Sequence, residues 1–220
     1  MNVRTLCIAL AAAAILATGV SLDGIVANVT LAAEQDAVVD GFRSAKFGVT
    51  GAQVEQAITK DFGHQGDDIQ TTIHPFEKTT SYIVVVDELI PDSGKATISY
   101  ILGYKSEGLM QVSLIWGTVV EPEATLDTLK VTAIILRDHF LKRGFDPDKV
   151  ITNRRADDGS NIVFQGSDEK GRTVLLQLAA PTVEPDEGTT DESAQPAWLR
   201  LSYIENPGAP DIFRVEEGQF

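Results

Sequence analysis

Residues 81–116 read SYIVVVDELIPDSGKATISYILGYKSEGLMQVSLIW, and this stretch decides the fold. Ser81 to Leu89 is β-branched and nearly continuous, the pattern of a strand covered on both faces. Pro91-Asp92-Ser93-Gly94 then puts Pro and Gly where a turn needs them. Ala96 to Tyr104 reads as the next strand, and Ser106-Glu107-Gly108 turns the chain again. Met110, Val112, Leu114 and Trp116 alternate with Gln111, Ser113 and Ile115. Upstream, Ile69, Thr71 and Ile73 alternate with Gln70, Thr72 and His74 until Pro75 stops the run. Four strands joined by short connections predict an antiparallel meander.

A helix precedes it. Thr50 and Gln53 fit a capping box. Val54, Ala57, Ile58 and Phe62 form one apolar stripe, and Gly63 is a suitable stop. The order then recurs. Pro122 precedes a predicted helix from Leu126 to Arg143, with Gly144 at its end. Leu126, Leu129, Ala133, Leu136 and Phe140 lie on one face, and Ile134, Ile135 and Leu141 widen it. Strand signals follow at Val150–Asn153, Ile162–Gln165, Arg172–Ala179 and Trp198–Ile204. Ile83-Val84-Val85 lines up with Ile162-Val163-Phe164, and Gln111–Trp116 with Arg200–Glu205. The fold class this predicts is α+β: two tandem helix-plus-four-stranded antiparallel sheet repeats, with one helix packed on a face of each sheet. The repeats span 34–120 and 121–205, the second carrying an acidic loop at 181–197. A C-terminal tail covers 206–220.

Composition narrows the function. The 220 residues carry 32 Asp+Glu against 18 Lys+Arg, a net charge of −14, and 43% are hydrophobic. That hydrophobic share excludes wholesale disorder. The acid excess, with no run of five basic residues, argues against a nucleic-acid partner, because phosphate contacts need Lys and Arg. Residues 1–33 read as a signal peptide. Met1-Asn2-Val3-Arg4 gives a positive start, Thr5 to Val20 is apolar and uncharged, and Leu31-Ala32-Ala33 offers a small-residue cleavage site. The localisation expected is periplasmic or secreted, with no transmembrane segment after cleavage; an uncleaved anchor is the alternative. The single Cys, Cys7, lies inside the leader. The mature part is therefore expected to have no disulfide, no Cys-ligated zinc and no thiol nucleophile.

The element order resembles the tandem α-β4 scaffold of the β-lactamase-inhibitory proteins. Phe47-Gly48-Val49-Thr50 followed by Val54 resembles the opening motif of the outer-membrane-assembly lipoprotein (SmpA/OmlA) family, whose lipidated Cys has no counterpart here. Gly41-Phe42-Arg43-Ser44-Ala45 and Ser202-Tyr203-Ile204-Glu205-Asn206-Pro207 are similar to an exported bacterial family of uncharacterised proteins. These resemblances imply a binding scaffold in the cell envelope. They assign no catalytic or contact residue.

Few residues suggest chemistry. His64, Asp67 and Asp68, with His74 beyond them, are the candidate metal ligands, although their spacing fits no standard metal motif. Glu184, Asp186 and Glu187 in the acidic loop, and Ile212 and Phe213 in the tail, are the candidate partner contacts. Asp157-Asp158-Gly159-Ser160-Asn161 reads as a hairpin turn rather than a calcium loop, since Ile162-Val163-Phe164 follows at once. Lys142-Arg143 and Arg154-Arg155 are the dense basic spots, able to meet an anion or a helix C-terminus. Gly-x-Ser-x-Gly, Ser-x-x-Lys, His-Glu-x-x-His and phosphate-loop patterns are missing. The expectation is an exported, non-enzymatic binding or envelope-associated protein with no cofactor and a protein partner in the cell envelope. The alternatives are a periplasmic hydrolase using scattered carboxylate and His residues, and a divalent-cation module using the acidic loop.

Overall fold

The Ser81–Trp116 stretch forms three strands, although the first, read as covered on both faces, is covered on one only: Val84 is buried and Val85 is half exposed. In the computed structural model, which describes residues 36–180, 196–215 and Gly218, β1 is Gly41–Phe42, β2 Ala45–Lys46, β3 Gln70–Ile73, β4 Thr80–Val86, β5 Ala96–Leu102 and β6 Leu109–Gly117. β7 (Arg154–Arg155), β8 (Asn161–Ser167), β9 (Thr173–Ala179) and β10 (Trp198–Ile204) follow, with helices α1 (Gly51–Phe62) and α2 (Leu126–Phe140). A single 3₁₀ turn covers Gly66–Asp68. The expected signal peptide, residues 1–33, and residues 181–195 of the acidic loop lie outside the described residues.

β1 and β2 make a small hairpin. The other eight strands form one antiparallel sheet in the order β3-β4-β5-β6-β10-β9-β8-β7. This corrects the expected fold class. The described residues are 33% strand and 18% helix, with two α-helices on one large sheet, not two helix-plus-four-strand repeats. The reason lies in β6 and β10. They pair residue for residue from Gln111↔Ile204 to Gly117↔Trp198, which sets Leu114 beside Leu201 and Trp116 beside Leu199, all fully or almost fully buried. Ending the sheet at β6 would leave that ladder unpaired and this apolar row exposed. The second half also lacks a strand at Val150–Asn153, where only a bridge between Ile151 and Gln165 forms. The Lys149 and Val150 amides instead donate to the Asp146 carbonyl in a turn.

Both helices cover the same face. Alternation in β5 sends Ala96, Ile98, Tyr100 and Leu102 toward them, and register carries this face through Val112, Leu114 and Trp116 to Leu199, Leu201 and Tyr203. α1 begins as its sequence predicts: Gln53 Oε1 accepts from the Thr50 amide at 2.9 Å. It ends at Gly63, whose φ of 77° is left-handed, a conformation that costs glycine little. Val54, Ala57 and Ile58 are its buried residues. α2 is capped by Thr125, which accepts from the Thr128 amide. It buries Leu129, Thr132, Ala133, Leu136 and Phe140, and Phe140 stacks on Phe164 at 5.4 Å. Ile134, Ile135 and Leu141, expected to widen the packed face, are about half exposed; the sheet meets a narrower stripe than their periodicity suggests.

The segment before β1 is tied down by one buried carboxylate. Asp168, in the β8–β9 turn, accepts from the amides of Val39 (3.1 Å), Lys170 (2.9 Å) and Arg172 (3.0 Å). It also pairs with the Arg172 guanidinium at 2.7 Å, and its side chain is 3% exposed. Burial alone pushes its pKa up. The hydrogen bonds from Arg172 and Val39 outweigh this, and the carboxyl titrates below its ordinary value.

Two predictions follow from this architecture. Because the sheet is continuous, urea unfolding of each single-tryptophan variant, W116F (reporting from β10) and W198F (reporting from β6), gives the same midpoint by tryptophan fluorescence as by far-UV circular dichroism; separated midpoints within either variant contradict it. Asp168→Asn lowers stability at pH 7 by about 2 kcal/mol. A depressed folded-state pKa stabilises fully above the ordinary carboxylate range and loses that contribution as pH falls through the depressed value. The gap between wild type and D168N, measured by urea titration, therefore closes in acid and is constant from neutral pH upward.

Candidate functional site

Opposite the helices, no described element packs across the centre of the sheet. The alternation that sends Leu199, Leu201 and Tyr203 inward sends Trp198, Arg200, Ser202 and Ile204 outward. Register then places Thr97, Ser99 and Ile101 of β5 beside Ile115, Ser113 and Gln111 of β6, with Ser81, Ile83 and Val85 beyond them on β4.

Two features distinguish this face. The first is a row of small hydroxyls, Ser99–Ser113–Ser202, across three adjacent strands. Ser113 and Ser202 Oγ lie 3.1 Å apart, and Gln111 Nε2 donates to Ser113 Oγ at 2.9 Å. Flanked by Ile83 and Leu175 at the same level, the row makes a shallow trough in the middle of the sheet. The second is charge. From β4 to β9 the outward strand positions carry no Asp or Glu, in a chain of net charge −14. Their one charge is Arg200, whose guanidinium lies over the Trp198 ring at 4.5 Å. Arg200 Nε is buried without a hydrogen-bond partner, and Arg200 enters no ion pair among the described residues. At the β8 side, Gln177 beside Arg200 donates to Ser160 Oγ at 3.1 Å. Asp158 in that turn titrates below its ordinary value, through hydrogen bonds from Ser160 and, more weakly, the charge of Arg200.

The residues singled out from sequence are scattered. His64 Nδ1 lies 3.8 Å from Asp68 Oδ2, on the loop after α1, with Asp67 exposed in the same 3₁₀ turn. His74 is in the β3–β4 turn instead, where its Nδ1 accepts from the Glu77 amide at 3.0 Å. The described residues contain no group of three or more His, Cys, Asp or Glu side chains placed to hold a metal ion. Glu184, Asp186 and Glu187 lie outside the described residues. Ile212 and Phe213 belong to a docked tail. Phe213 meets Tyr104 edge-on at 5.5 Å and its amide donates to the Glu77 carbonyl at 2.8 Å. Asp211 accepts from the Ser106 and Lys105 amides at 2.8 and 3.1 Å, and these bonds hold its carboxyl below the usual range.

Trp198 and Arg200 were missed as site residues. Alternation alone puts 198, 200, 202 and 204 on one face, but only the placement of both helices shows that this face is the open one. No helix among the described residues is long and apolar enough to cross a membrane. Comparisons with family models, curated proteins and solved structures give no match.

A buried Nε without a hydrogen-bond partner weakens the fold rather than holding it, although the rest of Arg200 is partly exposed. Arg200→Met is therefore expected to leave the unfolding free energy unchanged or to raise it by up to about 1 kcal/mol. Urea titration checks this, and a loss of more than about 1 kcal/mol makes Arg200 structural.

Proposed function

We propose that this is an exported, non-enzymatic binding protein that holds a protein partner in the cell envelope against the open face of its sheet. The observation that carries the reading is the concentration of neutral and apolar side chains, with Arg200 alone charged, on the uncovered face from β4 to β9 in a strongly acidic chain. Solvated sheet faces ordinarily carry charge for solubility. Depletion of charge at the centre of a patch, with Trp and Arg retained, is the composition of an interface core.

The same chemistry limits the partner. It must present an apolar ridge to the Ser99–Ser113–Ser202 trough and a carboxylate to Arg200. Stacking on Trp198 holds the guanidinium flat and restricts its rotamers, so little is lost when it is ordered in a complex.

The test captures partners from envelope extract with the purified protein. Val85→Glu and Ile115→Glu place charge on the open face, and Ile134→Glu places it on the exposed side of α2. The two face variants are expected to lose the bound species and I134E to keep it. Trp198→Ala should weaken binding by about 2 kcal/mol, roughly thirtyfold. Loss in I134E with retention in V85E and I115E moves the contact to α2 and overturns the reading. Export is checked by osmotic shock, which should release a form beginning at Glu34.

A further inference from the structure

On the helix side of the sheet a second feature has chemistry of its own. A cleft of about 300 Å³ lies between the β1–β2 hairpin and the C-terminal end of α2. Its size is at the lower end for small-molecule sites. The floor is apolar and aromatic: Tyr203 packs 5.5 Å from Phe42 and 6.3 Å from Phe140, with Val174 beside them. The charged groups on its walls are Arg43, Lys46, Arg143 and Asp40, joined by His139. Asp40, the one acid, is engaged by Lys46 at 3.0 Å. Arg43 and Arg143 are thus the uncommitted charges, and neither enters an ion pair among the described residues. In an acidic chain with carboxylates to spare, two such guanidiniums in one cleft are unusual.

Arg43 is also held at a conformational cost. Its φ is 51°, in the left-handed region that a long side chain occupies at a penalty of about 1 kcal/mol or more. This backbone conformation turns the tight hairpin, and glycine would serve it better. The guanidinium is fixed by Phe62 and Phe42, at 4.7 and 5.6 Å from their ring centres. Among the described residues its single hydrogen bond is a long one, 3.4 Å to the Asp61 carbonyl. The Asp61 carboxylate is occupied by the Ser44 amide and hydroxyl, at 2.9 and 2.7 Å. Tyr203 lines the cleft together with Arg43 and Arg143. Burial pushes its pKa up to about 12, while the charges of Arg143 and Arg43 pull the other way. The phenol therefore stays protonated at neutral pH and can donate. The wider depression next to the cleft, about 760 Å³, mixes both signs of charge, and its Lys149 is already paired with Asp146 at 2.9 Å.

We infer that the cleft binds a small amphipathic oxyanion, a carboxylate or phosphate group on an apolar body. The anion sits between Arg43 and Arg143, and the body lies against the partly exposed rings of Phe42, Tyr203 and Phe145. Guanidiniums suit this because their planar donors match the spacing of carboxylate and phosphate oxygens. The site is independent of the open face, which is on the other side of the sheet, so either can fail alone.

Phenyl phosphate and benzoate are the probes, with benzyl alcohol as the neutral control. Each is titrated by calorimetry and by thermal melting into the full chain and into Arg43→Gly and Arg143→Gln. Arg43→Gly removes the charge where glycine is favoured, so it should fold at least as well as wild type. The expected result is saturable binding of at least one anion with Kd near or below about 1 mM. Binding should weaken about tenfold or more in each variant, and benzyl alcohol should leave the melting temperature unchanged. Binding that survives both variants, binding of the alcohol as tightly as of the anions, or no saturation of either anion at about 10 mM overturns the inference.

Discussion

Between Gln111 and Trp116, β6 is paired along both edges, to β5 on one side and β10 on the other. β10 is likewise paired over its full length, to β6 and β9. These two strands are the most distant in sequence of any neighbours in the sheet. Their pairing therefore carries the largest loop-closure cost, which the continuous row of Ala96, Trp116 and Leu199 and the row of Ile98, Leu114 and Leu201 offset by burial. Once the seam closes, one face must take both helices, and the other is left open across the seam. The Ser99–Ser113–Ser202 trough exists only because the seam exists.

The elements were legible where the signal is local. A β-branched run gave β4, alternation gave β6, strand signals gave β5 and β10 within a few residues, and caps at Thr50 and Gly63 bounded α1; the start of α2 at Leu126 was also legible, while its expected end at Arg143 runs three residues past Phe140. What was not legible is relational. Nothing in Gln111–Trp116 marks Trp198–Ile204 as its neighbour rather than a copy of itself in a second sheet, because pairing leaves no trace in either strand alone. The β1–β2 hairpin was invisible for a different reason: its strands are two residues long, and its left-handed turn residue is Arg43, not glycine. Ile134 and Ile135 show the limit of periodicity, which ranks apolar positions but does not say how wide a stripe the sheet accepts. Among site residues, single positions such as His64 and His74 drew notice by residue type. Arg200 and Arg43 matter through what surrounds them, and no spacing rule shows that.

The sheet also separates two chemistries in one small molecule. The middle of the uncovered face carries no acid, and its cation is stacked on an indole. The covered side gathers cations at the end of α2, where the helix carbonyls favour positive charge and where Arg143 and His139 lie. The acids are left to turns and helix surfaces. A chain with a large negative charge in this way leaves the middle of its open face without an acid and the cleft with a single one, Asp40, already paired with Lys46.

The docked tail has a mechanical consequence. After β10 ends at Ile204, the chain crosses to the β3–β4 and β5–β6 turns, where Asp211 grips the Lys105 and Ser106 amides and Phe213 the Glu77 carbonyl. Tension applied at the C-terminus is thus borne first by two hairpin turns on the far half of the sheet. The central strand β10 is shielded from being unzipped from its own end, and a tether attached there pulls on the periphery before it reaches the seam.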